Sequence, residues 1–87
     1  MVGGDLDQSA RHQFWAALAE LLADHPREVQ VELDAVTFMD ATGLTVLLRA
    51  QRDASERGTR LVLVAPSVPV LRILERTQAA PLFEIRA

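Results

Sequence analysis

Eighty-seven residues, 49% of them apolar, with nine Lys or Arg against twelve Asp or Glu, describe one domain over residues 1–87, since a domain ordinarily takes roughly 100–200 residues. The lack of any cysteine excludes a disulfide scaffold, a Cys-ligated zinc and a thiol nucleophile, and it fits a reducing cytoplasm. A net charge of −3 has the wrong sign for a phosphate-binding footprint, and one Trp with three Phe offers little for bases to stack on, so the composition argues against nucleic acid as a ligand.

In chain order, Phe14, Leu18, Leu21 and Leu22 recur at helical spacing between Gln8 and Asp24. They predict a first helix capped by Asp7 and finished before Pro26. Val29, Val31 and Leu33 alternate with Gln30, Glu32 and Asp34, and the apolar pattern resumes at Val36 and Phe38, which predicts a strand running into a βα turn. Asp40-Ala41-Thr42-Gly43 is that turn. From about Thr42 to Arg57 a second helix follows, with Leu44, Leu47, Leu48 and Gln51 on one face and Arg49, Arg52, Asp53, Glu56 and Arg57 on the other. The charged face offers the i,i+4 pairs Arg49/Asp53, Arg52/Glu56 and Asp53/Arg57.

Gly58 suits the helix C-terminus, and Arg60 to Val64 reads as a strand buried on both faces, as in a parallel sheet. Ser67 is placed to cap a third helix that tolerates Pro69 in its first turn and buries Val70, Leu71 and Leu74. Leu82, Phe83 and Ile85 predict a last short strand. Alternating helices and strands with right-handed crossovers make an α/β fold, a small and largely parallel sheet flanked by helices.

The longest apolar runs, Trp15 to Ala19 and Leu61 to Ala65, fall far short of the roughly 20 residues of a membrane span. An N-terminus bearing Asp5 and Asp7 lacks the basic start of a signal peptide. No phosphate loop, nucleophile elbow or metal-spaced His pair occurs, so the sequence predicts no enzyme, no cofactor and no metal. What stands out is Asp40 and Thr42 at the start of the second helix, where unpaired N–H groups and the positive dipole end favour an anion. Capping by Asp40 or Thr42, with Gly43 easing the turn, is the simpler account. His12 and His25 read as a helix-face and a helix-end residue, Trp15 as a packing anchor, and Asp34 as a turn residue.

Four phrases in register resemble the STAS domain, the module shared by bacterial anti-sigma factor antagonists and the cytoplasmic tails of sulphate transporters. They are Gly4 to Asp7 (GDLD), Val29 to Leu44 (VQVELDAVTFMDATGL), Glu56 to Val64 (ERGTRLVLV) and Leu71 to Thr77 (LRILERT), the last followed by Pro81-Leu82-Phe83. The resemblance implies a partner-binding surface at the N-terminus of the second helix, here Asp7, Asp40, Ala41, Thr42, Gly43, Thr45 and Arg49. In the antagonists the hydroxyl residue directly after the turn aspartate is phosphorylated by an anti-sigma factor that is also a serine kinase, and this breaks the complex. About −2 of charge set beside carboxylates in a tight interface repels and must be desolvated.

Three departures from that pattern follow. The phosphoacceptor position is Ala41, which leaves Thr42 as the turn's candidate for phosphorylation. The GDLD phrase comes almost at once, so the N-terminal strand pair usual in the family is expected to be shortened or missing. An edge bared beside Val29, Val31 and Leu33 would then invite homodimerisation or a strand from a partner. Gln78-Ala79 stands where Gly-Leu commonly closes the last helix. A second function follows from Gly4 to Gln8 (GDLDQ) and Trp15, which are similar to small STAS subunits of bacterial phospholipid-transport ABC assemblies that bind the ATPase subunit.

Overall fold

A computed structural model describes residues 3–6 and 10–87. The GDLD phrase itself supplies a strand, β1 (Gly3–Leu6), which lies parallel to β3 (Ala35–Met39). The first helix, α1 (Arg11–Leu22), starts after Ala10, which makes no side-chain cap, and the expected cap Asp7 lies outside the described residues. It stops two residues short of Asp24, because His25 turns into the left-handed region at φ 49° and Pro26 cannot continue a helix.

The strand expected from Val29 to Phe38 is two strands. β2 (Glu28–Glu32) pairs in parallel with β4 (Arg60–Val64), whereas β3 pairs with β1. The division falls at Leu33-Asp34. The Leu33 N–H still donates to Val64 (3.0 Å), but its carbonyl accepts from Val36 (3.3 Å) and Ser67 (3.2 Å), so the chain turns through Asp34 and leaves the ladder. Asp34 is therefore the turn residue the sequence indicated. β5 (Glu84–Arg86) pairs in parallel with β4, giving the order β2-β4-β5 beside the β1-β3 pair.

β2 is an outer strand, and no described strand lies on its far side. The carbonyl of Arg27 and the N–H of Leu33 bond towards β4. By the alternation of a strand, Val29 and Val31 do the same, and the outward backbone groups belong to Glu28, Gln30 and Glu32 rather than to the three apolar residues the sequence suggested.

The second helix, α2 (Ala41–Arg57), buries Leu44, Val46, Leu47, Ala50 and Ala54, a face wider than the leucine row read from sequence; Leu48 and Gln51 are half-buried. Gly58 closes it at φ 73°, with Gly58 N–H to Ser55 and Thr59 N–H to Ala54. The third helix, α3 (Val68–Arg76), buries Val70 and Leu74 but turns Leu71 outward, since one residue is 100° of rotation, and half-buries Ile73 instead. Ser67 holds the N-cap backbone position, yet its Oγ is buried without a partner and makes no cap. Gln78 closes α3 in glycine's place at φ 58°, with Gln78 N–H to Glu75 and Ala79 N–H to Leu74, and Ala79 is buried where leucine was expected. A 3-10 turn (Ala80–Leu82) then carries an exposed Leu82 and leads to Phe83, buried just before β5.

The core gathers Phe14, Leu18 and Leu22 of α1, the buried row of α2, and Val29, Val31, Leu61 and Leu63 of the sheet. On the opposite face, register aligns Glu28 with Arg60 and Val62 with Glu84, and a ladder of charges crosses three strands. Arg60 Nη2 donates to both Glu84 oxygens (2.7 and 2.6 Å), and Arg86 Nη2 donates to Glu28 Oε1 (2.9 Å) and Glu84 Oε2 (3.1 Å). The Arg86 hydrogen bond, seconded by Gln30, holds Glu28 below the ordinary glutamate value of 4.5. The Arg60 hydrogen bond, seconded by Arg86, does the same for Glu84.

Since these carboxyls give up protons more readily folded than unfolded, the unfolded chain binds more protons as the solution is acidified, and stability falls with pH. The ladder's contribution is complete above about pH 4.5–5 and is lost as pH drops through the lower folded values. Urea midpoints between pH 7 and pH 3 should show this decline. The Glu28→Gln/Glu84→Gln variant should have a flatter profile over that range.

Candidate functional site

β3 delivers the chain to Asp40, which adopts an extended backbone (φ −113°, ψ −171°) just before α2. Its Oδ1 accepts from the N–H groups of Thr42 (2.9 Å) and Gly43 (3.2 Å), and its carbonyl accepts from Leu44 (3.1 Å). Asp40 thus takes the capping role, a contribution of about 1 kcal/mol. The helix start already holds an anion of its own, and a second negative charge there meets the Asp40 carboxylate as well as the favourable dipole.

The residues singled out from sequence divide by helical rotation. Ala41, Thr45 and Arg49 are exposed and form one row at i,i+4 spacing along α2, with the Thr45 hydroxyl donating to the Ala41 carbonyl (2.9 Å). Thr42 is half-buried and Gly43 buried, so both lie on the inner side of that row. Asp7 is outside the described residues.

Arg49 departs from its expected pairing. Asp53 bonds Arg57 (3.1 Å) and Arg52 approaches Glu56 (3.7 Å), while Arg49 lies over the Trp15 ring, 4.0 Å from its centroid. A guanidinium on a half-buried indole at the surface is worth about 0.5–1 kcal/mol or somewhat more. It ties the outer row of α2 to α1.

Below this stack is a hollow of about 280 Å³ lined by Arg11, His12, Trp15, Thr45, Val46 and Arg49. Trp15 and Arg49 also line a second hollow of about 320 Å³, with Arg52, Asp53 and Glu56 on its wall. The sequence did not reveal that Arg11, His12 and Trp15 join the row of α2, because that needs the packing of α1 on α2. The one signal available was the sole Trp sitting one position beside Phe14 of the buried row, on its flank rather than within it.

Among the described residues no group of three or more His, Asp or Glu could hold a metal ion, and no described helix is long and apolar enough to cross a membrane.

The chain matches the protein family described as "Mlab, STAS domain" over residues 1–83. The anti-sigma-B factor antagonist of Staphylococcus aureus is 26% identical over 97% of this chain and 78% of its own length. That of Listeria monocytogenes is 28% identical over 98% and 75%. Among solved structures, the anti-sigma factor antagonist SpoIIAA in its unphosphorylated form superposes with a TM-score of 0.70 at 18% identity, covering 99% of this chain and 74% of that one. The STAS domain of a SulP transporter from Vibrio cholerae gives 0.72 at 19% identity, covering 98% and 68%. These two likenesses extend to the fold.

Proposed function

The chain belongs to the STAS domain family, and from that we propose that it is a cytoplasmic, non-catalytic binding module that antagonises a kinase-type anti-sigma factor. The observation that carries this reading is the exposed row Ala41, Thr45 and Arg49 at the start of α2, the place where the family resemblance puts the partner. Asp40, Thr42 and Gly43 act beneath it by fixing the helix start, with Asp7 assigned to the same surface. Ala41 has no hydroxyl, so the usual phosphoacceptor is absent and the partner-binding form is the permanent one at that position. Thr42 is the remaining acceptor in the turn, and mass spectrometry after incubation with the cognate kinase and ATP tests its use.

The second reading is a small STAS subunit of a phospholipid-transport ABC complex that docks on the ATPase subunit. It is favoured by the family description itself and by the GDLDQ phrase with Trp15. Titration of the domain against the anti-sigma factor and the ABC ATPase of its own genome separates the two. The first reading expects a complex with the anti-sigma factor and none with the ATPase, and the reverse result replaces it with the second.

The proposed self-association would use the outer edge of β2, which no described strand covers. An antiparallel pairing of two copies would set Glu28 against Glu32, and like charges facing across strands oppose it. Any dimer should therefore be weak, and light scattering that shows a monomer at every concentration removes it.

A further inference from the structure

The hollow beside the Trp15–Arg49 stack holds two cationic side chains, Arg11 and Arg49, with no anionic partner among the described residues. Arg49 gives up its expected i,i+4 partner, since Asp53 is engaged by Arg57 at 3.1 Å. Neither Arg49 nor Arg11 makes an ion pair among the described residues, and the lining of Arg11, His12, Trp15, Thr45, Val46 and Arg49 contains no carboxylate. Trp15 and Arg49 also border the hollow of Arg52, Asp53 and Glu56, but there Asp53 is engaged by Arg57 and Glu56 by Arg52, so the charge left uncompensated at the stack is positive on a chain whose net charge is −3.

The geometry of the stack makes the excess usable. A guanidinium on an indole spends its flat face on the ring, and its N–H donors lie along the edge, where they remain open to a carboxylate in a two-pronged hydrogen bond. The ring also holds a long flexible side chain in one place, so little further ordering is required when an acid arrives. The space, about 280 Å³, exceeds many times the roughly 30 Å³ share of a single water.

We propose that this hollow receives an acidic side chain, Glu or Asp, from the docked protein partner, gripped by Arg49 and Arg11 with the Trp15 ring as its floor. The proposal rests on the reading that this end of the molecule docks a protein, and it adds the chemistry of the partner's contact.

Trp15 is the sole tryptophan and reports the site directly. The intact chain is titrated, at low salt, with two blocked peptides, Glu-Glu-Leu-Glu-Glu and Gln-Gln-Leu-Gln-Gln, and Trp15 emission is followed with calorimetry as a check. The glutamate peptide should give a saturable change with a half-saturation at least fivefold lower than the glutamine peptide, weakening as salt is raised. The Arg11→Glu/Arg49→Glu variant should lose that preference and bind Lys-Lys-Leu-Lys-Lys instead, while its urea midpoint certifies the fold.

Equal responses to the two peptides overturn the proposal, as does a glutamate response that survives in the double variant. Saturation by inorganic phosphate without a response to the glutamate peptide also overturns it, by identifying an anion site of another kind. The peptide assay contains no natural partner. Loss of peptide discrimination with partner binding intact therefore sinks this proposal alone, and loss of partner binding with discrimination intact sinks the docking reading instead.

Discussion

Leu47→Ala should destabilise the domain by about 3–4 kcal/mol, within the range of about 2–5 measured for large-to-small changes at fully buried leucines. Leu47 is 0% exposed and lies in the cluster that joins α1, α2 and the sheet. The truncation removes the transfer energy of the side chain and leaves a cavity that rigid neighbours fill only in part. A domain of 87 residues has roughly 4–13 kcal/mol in total, so one substitution takes a large share of it. Urea denaturation at neutral pH checks the value. Leu82→Ala serves as the comparison: Leu82 is 57% exposed, so its loss should stay near 0.5 kcal/mol.

Ala41→Asp should lower affinity for the protein partner at least tenfold while leaving the fold as stable as before or slightly more so. Ala41 is exposed in the first turn of α2, where a negative charge gains about 0.3–1 kcal/mol from the dipole. Folding therefore offers no reason for a loss. In a docked complex the same carboxylate would be desolvated next to Asp40, and that is costly. Thr42→Asp is the less clean variant, because Thr42 is half-buried. Calorimetric titration against the partner, with a melting curve for each variant, separates binding from stability. Unchanged affinity for the Ala41→Asp protein would remove the start of α2 from the interface.

Local sequence signals carried the parts of this fold that local chemistry decides. Asp40 and Gly58 bound α2 because a carboxylate satisfies the first N–H groups and only an unhindered residue enters the left-handed region at little cost. The triple burial of Leu61, Val62 and Leu63 in β4 was legible as a continuous apolar run. The division of β2 from β3 at Asp34 was half legible. The residue announced a turn, but the change of ladder partner depends on where β1 and β4 lie.

Ser67 had the right type and position for a cap and still left its hydroxyl unpaired, while its N–H donates to the Leu33 carbonyl of the preceding strand turn, a long-range contact that local spacing does not show. In the candidate site, the i,i+4 rule named three ion pairs on α2, and tertiary structure broke the one at Arg49 by offering Trp15 from another helix. A pair rule that knows only one helix cannot foresee a competitor across a helix–helix contact.

The start of α2 and the adjoining flank of α1 are the surface proposed to meet another protein. Amide hydrogen exchange of the chain, free and saturated with its partner, tests it most directly. Exchange should slow in Ala41 to Arg49 and in Arg11 to Trp15, with Glu28 to Glu32 and Glu84 to Arg86 unchanged. Protection confined to those two strands, with both helix segments exchanging as in the free protein, would contradict it.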